Sequence, residues 1–390
     1  MTKTKSQSKT WRKVRLGEFA NINPTVQIQR GKEYPFLDMA DVAPLSRTTN
    51  WQKRKVFKGS GARFEENDTL FARITPCLEN GKITQAQELK SPAFGSTEFY
   101  VLRGKQGISN SDFIHYLSRT FRIRKLAEGS MVGASGRQRV ERAAFENIEV
   151  EVPENLETQK RIADILSAFD DKIELNNKIS KNLEATAKAI FKEWFVNFRF
   201  PGHEKVKMVD SELRKIPERW KVKTLGDVAD VQWGDTSVTK ASYVEKGYPA
   251  YSASGQDGFR KTYDFDRIGI VLSAIGANCG ITWLARSKWS VIKNTIRFWS
   301  TDEKVSTEYL FLATMRQESW PQRGSAQPFI TMGDARKRKI LVPAENILRQ
   351  FNNFVAGTYL KIDFARLENQ KLAALRDLLL PKLMSREIKV

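Results

Sequence analysis

The sequence predicts an α+β chain written twice: two tandem globular domains, each followed by a long helix. Three observations carry that expectation. The stretch "WRKVRLGEFA" at 11–20 returns as "WKVKTLGDVA" at 220–229. Each copy later reaches a β-branched run closed by proline, "IEVEVP" at 148–153 and "ILVP" at 340–343. After each proline the apolar spacing changes to a heptad that lasts for about 40 residues.

At 390 residues, 41% hydrophobic and 28% charged, the chain has material for two or three domains with real cores. No apolar run approaches the ~20 residues that span a bilayer. Residues 1–10 are basic and polar without an apolar core, unlike a secretory signal. Two cysteines, Cys77 and Cys279, build neither a disulfide framework nor a four-thiolate metal site. The cytoplasm is the expected location. The net charge of +20 and pI near 9.8 call for a polyanion or a neutralising partner. Lys and Arg are spread along the chain, so nucleic acid on folded basic surfaces is the favoured reading. A basic but indifferent surface is the alternative.

Within the first copy, "DTLFARITPCLENGKIT" at 68–84 carries Asn-Gly-Lys before its final β-branched pair, after an apolar strand. A phosphate-binding loop would need glycine where Pro76 stands and Ser or Thr where Ile83 stands, so a strand and turn are expected instead. The second copy answers with "AIGANCGIT" at 274–282, which puts both cysteines at equivalent strand ends as small buried residues. Strands follow at 98–102 and 294–298, then amphipathic helices near 109–126 and 306–317. The first helix carries Phe113, Leu117 and Phe121 at i, i+4 and i+8, with Ser109 and Asp112 spaced as a capping box. Gly-Ser loops at 129–130 and 324–325 precede the closing strands.

The first long helix is expected from about 156 to about 195, with Asn155 as N-cap. Leu166, Phe169, Ile173, Leu183, Ala187, Ile190 and Trp194 form its stripe, with Asn176 and Ser180 as polar breaks. The second, from about 347, carries Phe351, Val355, Ile362, Leu372, Leu379 and Leu383. A helix of ~40 residues is about 60 Å long and must bury its stripe. The matching stripe belongs to the other long helix, which predicts an antiparallel coiled coil with pseudo-twofold symmetry. The alternative is two separate helices, each packed on its own domain. The expected order is a basic tail (1–10), first domain (11–153), first helix (154–200), linker (201–219), second domain (220–343) and second helix (344–390).

These residues resemble a family. Trp-x4-Leu-Gly-(Glu/Asp), then "TLFARITPCLENGK", then Val-Pro before a long helix, all duplicated, are similar to the specificity subunit of type I restriction–modification systems. "IPERWKVKTLGDVADVQWG" at 216–234 and "YPAYSASGQDGFRKTYDF" at 248–265 look like the start of a target-recognition domain, and the likeness spans about 11–383. The resemblance implies a non-catalytic DNA reader whose two recognition domains read the halves of a bipartite, asymmetric site. It implies that the helices hold these domains apart and bind two methyltransferase subunits, which ATP-dependent restriction subunits join. S-adenosylmethionine, ATP and magnesium would then belong to those partners. Two readers on one face of a duplex are spaced by about 34 Å or a multiple of it, which suits a helical ruler.

No chemistry competes with that reading. Only His115 and His203 could serve as imidazole bases. The chain lacks His-Glu-x-x-His, Gly-x-Gly-x-x-Gly and the Asn/Asp-Pro-Pro-aromatic run of an adenine methyltransferase. Asp170-Asp171-Lys172 and Glu387-Ile388-Lys389 are poor nuclease sites. A coiled-coil adaptor, another kind of DNA-binding protein and a self-sufficient nuclease are the competing classes. Base reading needs Arg, Lys, Asn, Gln, Ser or Thr on exposed loops. The candidates are Ser130, Ser135, Arg137, Gln138 and Arg139 in one loop, and Arg323, Ser325 and Gln327 in its counterpart. A third loop offers Ser254, Gln256, Arg260 and Lys261, while Arg73 and Lys82 are candidates for phosphate. Ordinary surface turns and solvated charges are the alternative for each.

Overall fold

The structure, a computed structural model, describes residues 11–390 except 45, 50, 135 and 325. The basic tail (1–10), Ser135 and Ser325 therefore lie outside the described residues. The chain forms two compact units. One contains the residues up to Lys178 together with Ala365–Val390, and the other is Ile179–Phe364.

Both units are built on one plan. In the first, a four-stranded antiparallel sheet has the order Ala20–Ile22, Phe99–Gly104, Thr69–Ala72, Ile83–Gln85. The second repeats it as Ala229–Trp233, Thr295–Ser300, Gly269–Ser273, Thr282–Ala285. A smaller mixed sheet follows in each: Arg54–Val56, Glu33–Leu37, Ala93–Gly95, Ala62–Phe64, and Gly255–Arg260, Tyr248–Ser252, Lys288–Val291, Phe265–Asp266. Its single parallel pair is the same in both, Glu33–Leu37 with Ala93–Gly95 and Tyr248–Ser252 with Lys288–Val291. A third ladder pairs Trp11–Arg15 with Glu149–Pro153, and Lys221–Thr224 with Lys339–Val342.

The repeated Leu-Gly-(Glu/Asp) has a physical reason. Leu16 and Leu225 are buried anchors of the short helices Leu16–Phe19 and Leu225–Val228. The acid caps each helix start: Arg15 N–H donates to Glu18 at 3.3 Å and Thr224 N–H to Asp227 at 2.7 Å. Glycine lets each short helix approach a neighbour, since a Cβ would stand 3.1 Å from Glu146 at Gly17 and 3.3 Å from Arg336 at Gly226.

Several expectations change. The helix near 109–126 is two helices, Ser111–Arg119 and Phe121–Gly129, broken where Thr120 caps the second. Phe113 and Leu117 are buried, but the break rotates Phe121 outward, leaving it 69% exposed. Asn110 rather than Ser109 is the first helix's cap, accepting from Phe113 N–H at 2.9 Å. Ser109 instead donates to the Phe19 carbonyl at 2.6 Å. Cys279 is buried but Cys77 is only half-buried, because the first loop is longer and Leu78 fills the core there. The stretch 201–219, expected as a linker, forms a hairpin of Met208–Val209 with Ile216–Pro217. Phe200 and Ile216 join Trp220 in the core, so this stretch covers the tryptophan.

The long helices run Leu156–Phe191, continued by a π-helical turn at Lys192–Val196, and Glu345–Met384. Asn155 accepts from Glu157 N–H at 2.8 Å, as an N-cap does. Each unit holds a portion of both helices. In the first, Leu166 packs in one cluster with Leu380 and Leu383, with Leu379 against it. Arg376 there pairs with Asp170, and Asn176 donates to Glu368 and Asn369 at 2.7 and 2.9 Å. Phe169, Ile173 and Leu372 are half-buried. In the second unit Phe351 and Val355 are fully buried with Ala187, and Ile190 and Ile362 pack against them. Leu183 is half-buried.

Candidate nucleic-acid interface

At one end of each central sheet three loops meet. In the second unit Gly276 N–H donates to the Pro328 carbonyl at 2.9 Å. The Asn278 amide donates to the Ala253 carbonyl at 3.1 Å, and Gln322 to the Cys279 carbonyl at 3.2 Å. The hairpin turn near 253, the loop 275–280 and the loop 322–329 thus form one surface. Ser254, Gln256, Arg323 and Gln327 lie on or beside these joined segments, and all four are exposed. In the first unit Thr75 N–H donates to the Gln138 carbonyl at 3.0 Å, and Lys82 Nζ to the Met39 carbonyl at 2.8 Å. The loops at 39–41, 75–82 and 130–139 meet in the same way. "DTLFARITPCLENGKIT" is therefore a buried strand leading into the central loop of this surface, not a phosphate cradle.

The cations are less free than their sequence suggests. Glu98 receives Arg139 through two nitrogens at 2.6–3.0 Å and Arg73 at 3.5 Å. The hydrogen bonds from Arg139 hold its carboxyl below the usual range. Two guanidinium groups on one carboxylate leave a local excess of positive charge. Arg323 binds Asp334 at 2.6 and 2.8 Å and holds that carboxyl down to about 2. Arg260 binds Asp264 at 2.9 Å. Ser130 caps its helix by donating to the Ala127 carbonyl at 2.8 Å. Arg137 and Lys261 are exposed and have no carboxylate partner among the described residues.

Part of this surface has no signature in the sequence. Asn278 and Gln322 join the second unit's loops, yet as single amides in irregular segments they gave no signal. Two adjoining clefts of about 400 and 580 Å³ in the first unit share Gly61 and Thr97. Arg63, Arg73, Lys55 and Lys58 line them with one carboxylate, Asp38, beside polar groups such as Asn23 and Thr25. This is a cationic, amide- and hydroxyl-bearing surface, able to hold phosphates and read base edges.

The two histidines sit elsewhere. His115 is fully buried, and burial with Arg119, Arg47 and Arg376 nearby keeps it neutral. Neighbouring Asp170 accepts from Tyr116 Oη at 2.8 Å. His203 lies on a short turn after Phe200. Among the described residues no three His, Cys, Asp or Glu side chains group as a metal site, and no helix is long and apolar enough to cross a membrane.

Comparison with known proteins is consistent with this geometry. The family model for the type I restriction modification DNA specificity domain matches residues 8–185 and 217–372. The chain is 27% identical over 413 residues to the type I restriction enzyme MjaIX specificity subunit of Methanocaldococcus jannaschii, covering 96% of this chain and 92% of that one. It is 23% identical over 408 residues to the HindI specificity subunit of Haemophilus influenzae, covering 83% and 87%. The crystal structure of the type I restriction–modification S subunit from M. genitalium aligns with a TM-score of 0.54 at 17% identity, covering 97% and 96%. At that identity the likeness is one of fold.

Proposed function

This chain belongs to the type I restriction–modification DNA specificity family, and we propose from that premise that it reads a bipartite, asymmetric duplex target, one half-site per recognition domain. It is a specificity subunit with two recognition domains. The observation that carries the finer reading is the duplicated three-loop surface. One topology presents different side chains, Arg137 and Gln138 in one unit, Ser254, Gln256 and Gln327 in the other. The scaffold is shared and the reading groups are not, as two unequal half-sites require.

The long helices would pair as an antiparallel coiled coil that spaces the two readers and gives the chain its pseudo-twofold symmetry. Within the first unit, residue 170 meets 376 and 176 meets 369, which supports opposite directions. The same helices keep apolar residues outside, among them Leu175, Phe364, Leu367, Leu375 and Leu378. Such side chains suit the docking of two methyltransferase subunits, with restriction subunits joining that core. S-adenosylmethionine, ATP and magnesium would be held by those subunits, and this chain would bind no cofactor.

Co-expression with a cognate methyltransferase subunit tests the reading. The expected result is a complex that co-purifies at low salt and methylates DNA at a split site. Failure to associate would leave a coiled-coil adaptor as the better description.

A further inference from the structure

The two recognition domains share a topology but charge one segment differently. In each, the two edge strands of the smaller sheet are consecutive in sequence: Arg54–Val56 then Ala62–Phe64, and Gly255–Arg260 then Phe265–Asp266. The first segment, "KRKVFKGSGARF" at 53–64, holds five cations and no carboxylate. Its counterpart, "GQDGFRKTYDFDR" at 255–267, holds three cations against three carboxylates.

Contacts sharpen the contrast. In the first domain Lys53 pairs with Asp41 at 2.6 Å and Arg54 with Glu33 at 3.2 Å. Lys55, Lys58 and Arg63 are exposed and make no direct ion pair among the described residues, although Lys55 is near enough to Asp41 to help hold that carboxyl down. Lys55 Nζ stands 3.7 Å from the centre of the Phe36 ring and Arg63 lies 5.0 Å from that of Phe57, so aromatic faces support these cations without neutralising them. All three line the clefts beside the three-loop surface. In the second domain Lys261 and Arg267 make no ion pair among the described residues, but Arg260 is held by Asp264 at 2.9 Å and Lys240 by Asp257 at 2.5 Å, and the segment's charges balance. A cation already paired must exchange a carboxylate for a phosphate and gains little. An unpaired one releases counterions from DNA at full effect.

We propose that the first domain supplies the larger share of the grip on the phosphate backbone, through Lys55, Lys58 and Arg63, while the second, with a charge-balanced segment, holds it less and relies more on reading bases. This rests on the specificity-subunit reading and divides its labour unequally. The test is the salt dependence of binding by the full chain to a mixed-sequence duplex, followed by fluorescence anisotropy from about 50 to about 200 mM KCl. Lys55→Gln with Lys58→Gln should lower the slope of log K against log salt by about 1.8, at ~0.9 per phosphate, with equal loss on every sequence. Arg260→Gln with Lys240→Gln, two cations already held by Asp264 and Asp257, should change it by less than about 0.5. The charge-conserving pair Lys55→Arg with Lys58→Arg should restore the slope, which separates a lost contact from a lost fold. Equal effects of the two Gln pairs, or an unchanged slope for the first, would overturn the unequal division alone. A wild-type chain with no salt-dependent binding would overturn the DNA reading as well.

Discussion

The long helices meet each unit through different chemistry. In the first unit a buried ionic and amide cluster stands beside the apolar contact of Leu166 with Leu380 and Leu383. Asp170, 6% exposed, takes Arg376, Arg119 and Tyr116, and Asn176, 3% exposed, takes Glu368 and Asn369. In the second it is aromatic: Phe351 packs against Phe195 at 4.8 Å and Phe191 at 6.0 Å, with Tyr309 and Trp194 beside it. Apolar contacts give most stability per residue but tolerate sliding, whereas buried hydrogen bonds leave a mismatch unsatisfied and so fix register. The contact within the second unit is thus suited to strength and that within the first to alignment. Both units share a further device. An arginine joins an acid in the first turn of a domain helix to an acid on a long helix: Arg47 with Asp112 and Asp171, and Arg286 with Glu308 and Asp363.

Breaking the aromatic portion should have the larger effect. Phe351→Ala should cost about 3–5 kcal/mol, as a filled aromatic site becomes a cavity. Hydrogen exchange should report it as lost protection across residues 179–191 and 345–364. Asp170→Ala should cost about 3 kcal/mol, because Arg119 and Arg376 are left buried without their carboxylate. Its lost protection should fall on residues 156–178 and 365–384, a distinct footprint from the first. Coincident footprints would mean that the two portions do not act as separate devices.

Much of this architecture was legible in the sequence because it rests on local chemistry written twice. Leu16-Gly17-Glu18 and Leu225-Gly226-Asp227 encode an anchor, a close approach and a cap, and each was visible as a repeat. The long helices were visible through their heptads, and the meeting loops through Gly, Ser and basic residues. Long-range pairing was not visible. Nothing near Arg73 or Arg139 announces that both share Glu98, and Arg323 and Arg260 looked free although Asp334 and Asp264 hold them. The break at Thr120 was hidden because Phe113, Leu117 and Phe121 continue a helical period across two helices. The charge of 53–64 was in plain sight, but its meaning appeared only once topology aligned it with the balanced segment 255–267.

The central claim is that two recognition domains of one plan read two different half-sites. It is tested most directly by exchanging residues 11–153 for the matching domain of a related specificity subunit and mapping methylated positions after co-expression with the methyltransferase. The account predicts that one half-site changes to the donor's while the other keeps its sequence. Both half-sites changing together, or neither changing, would contradict it.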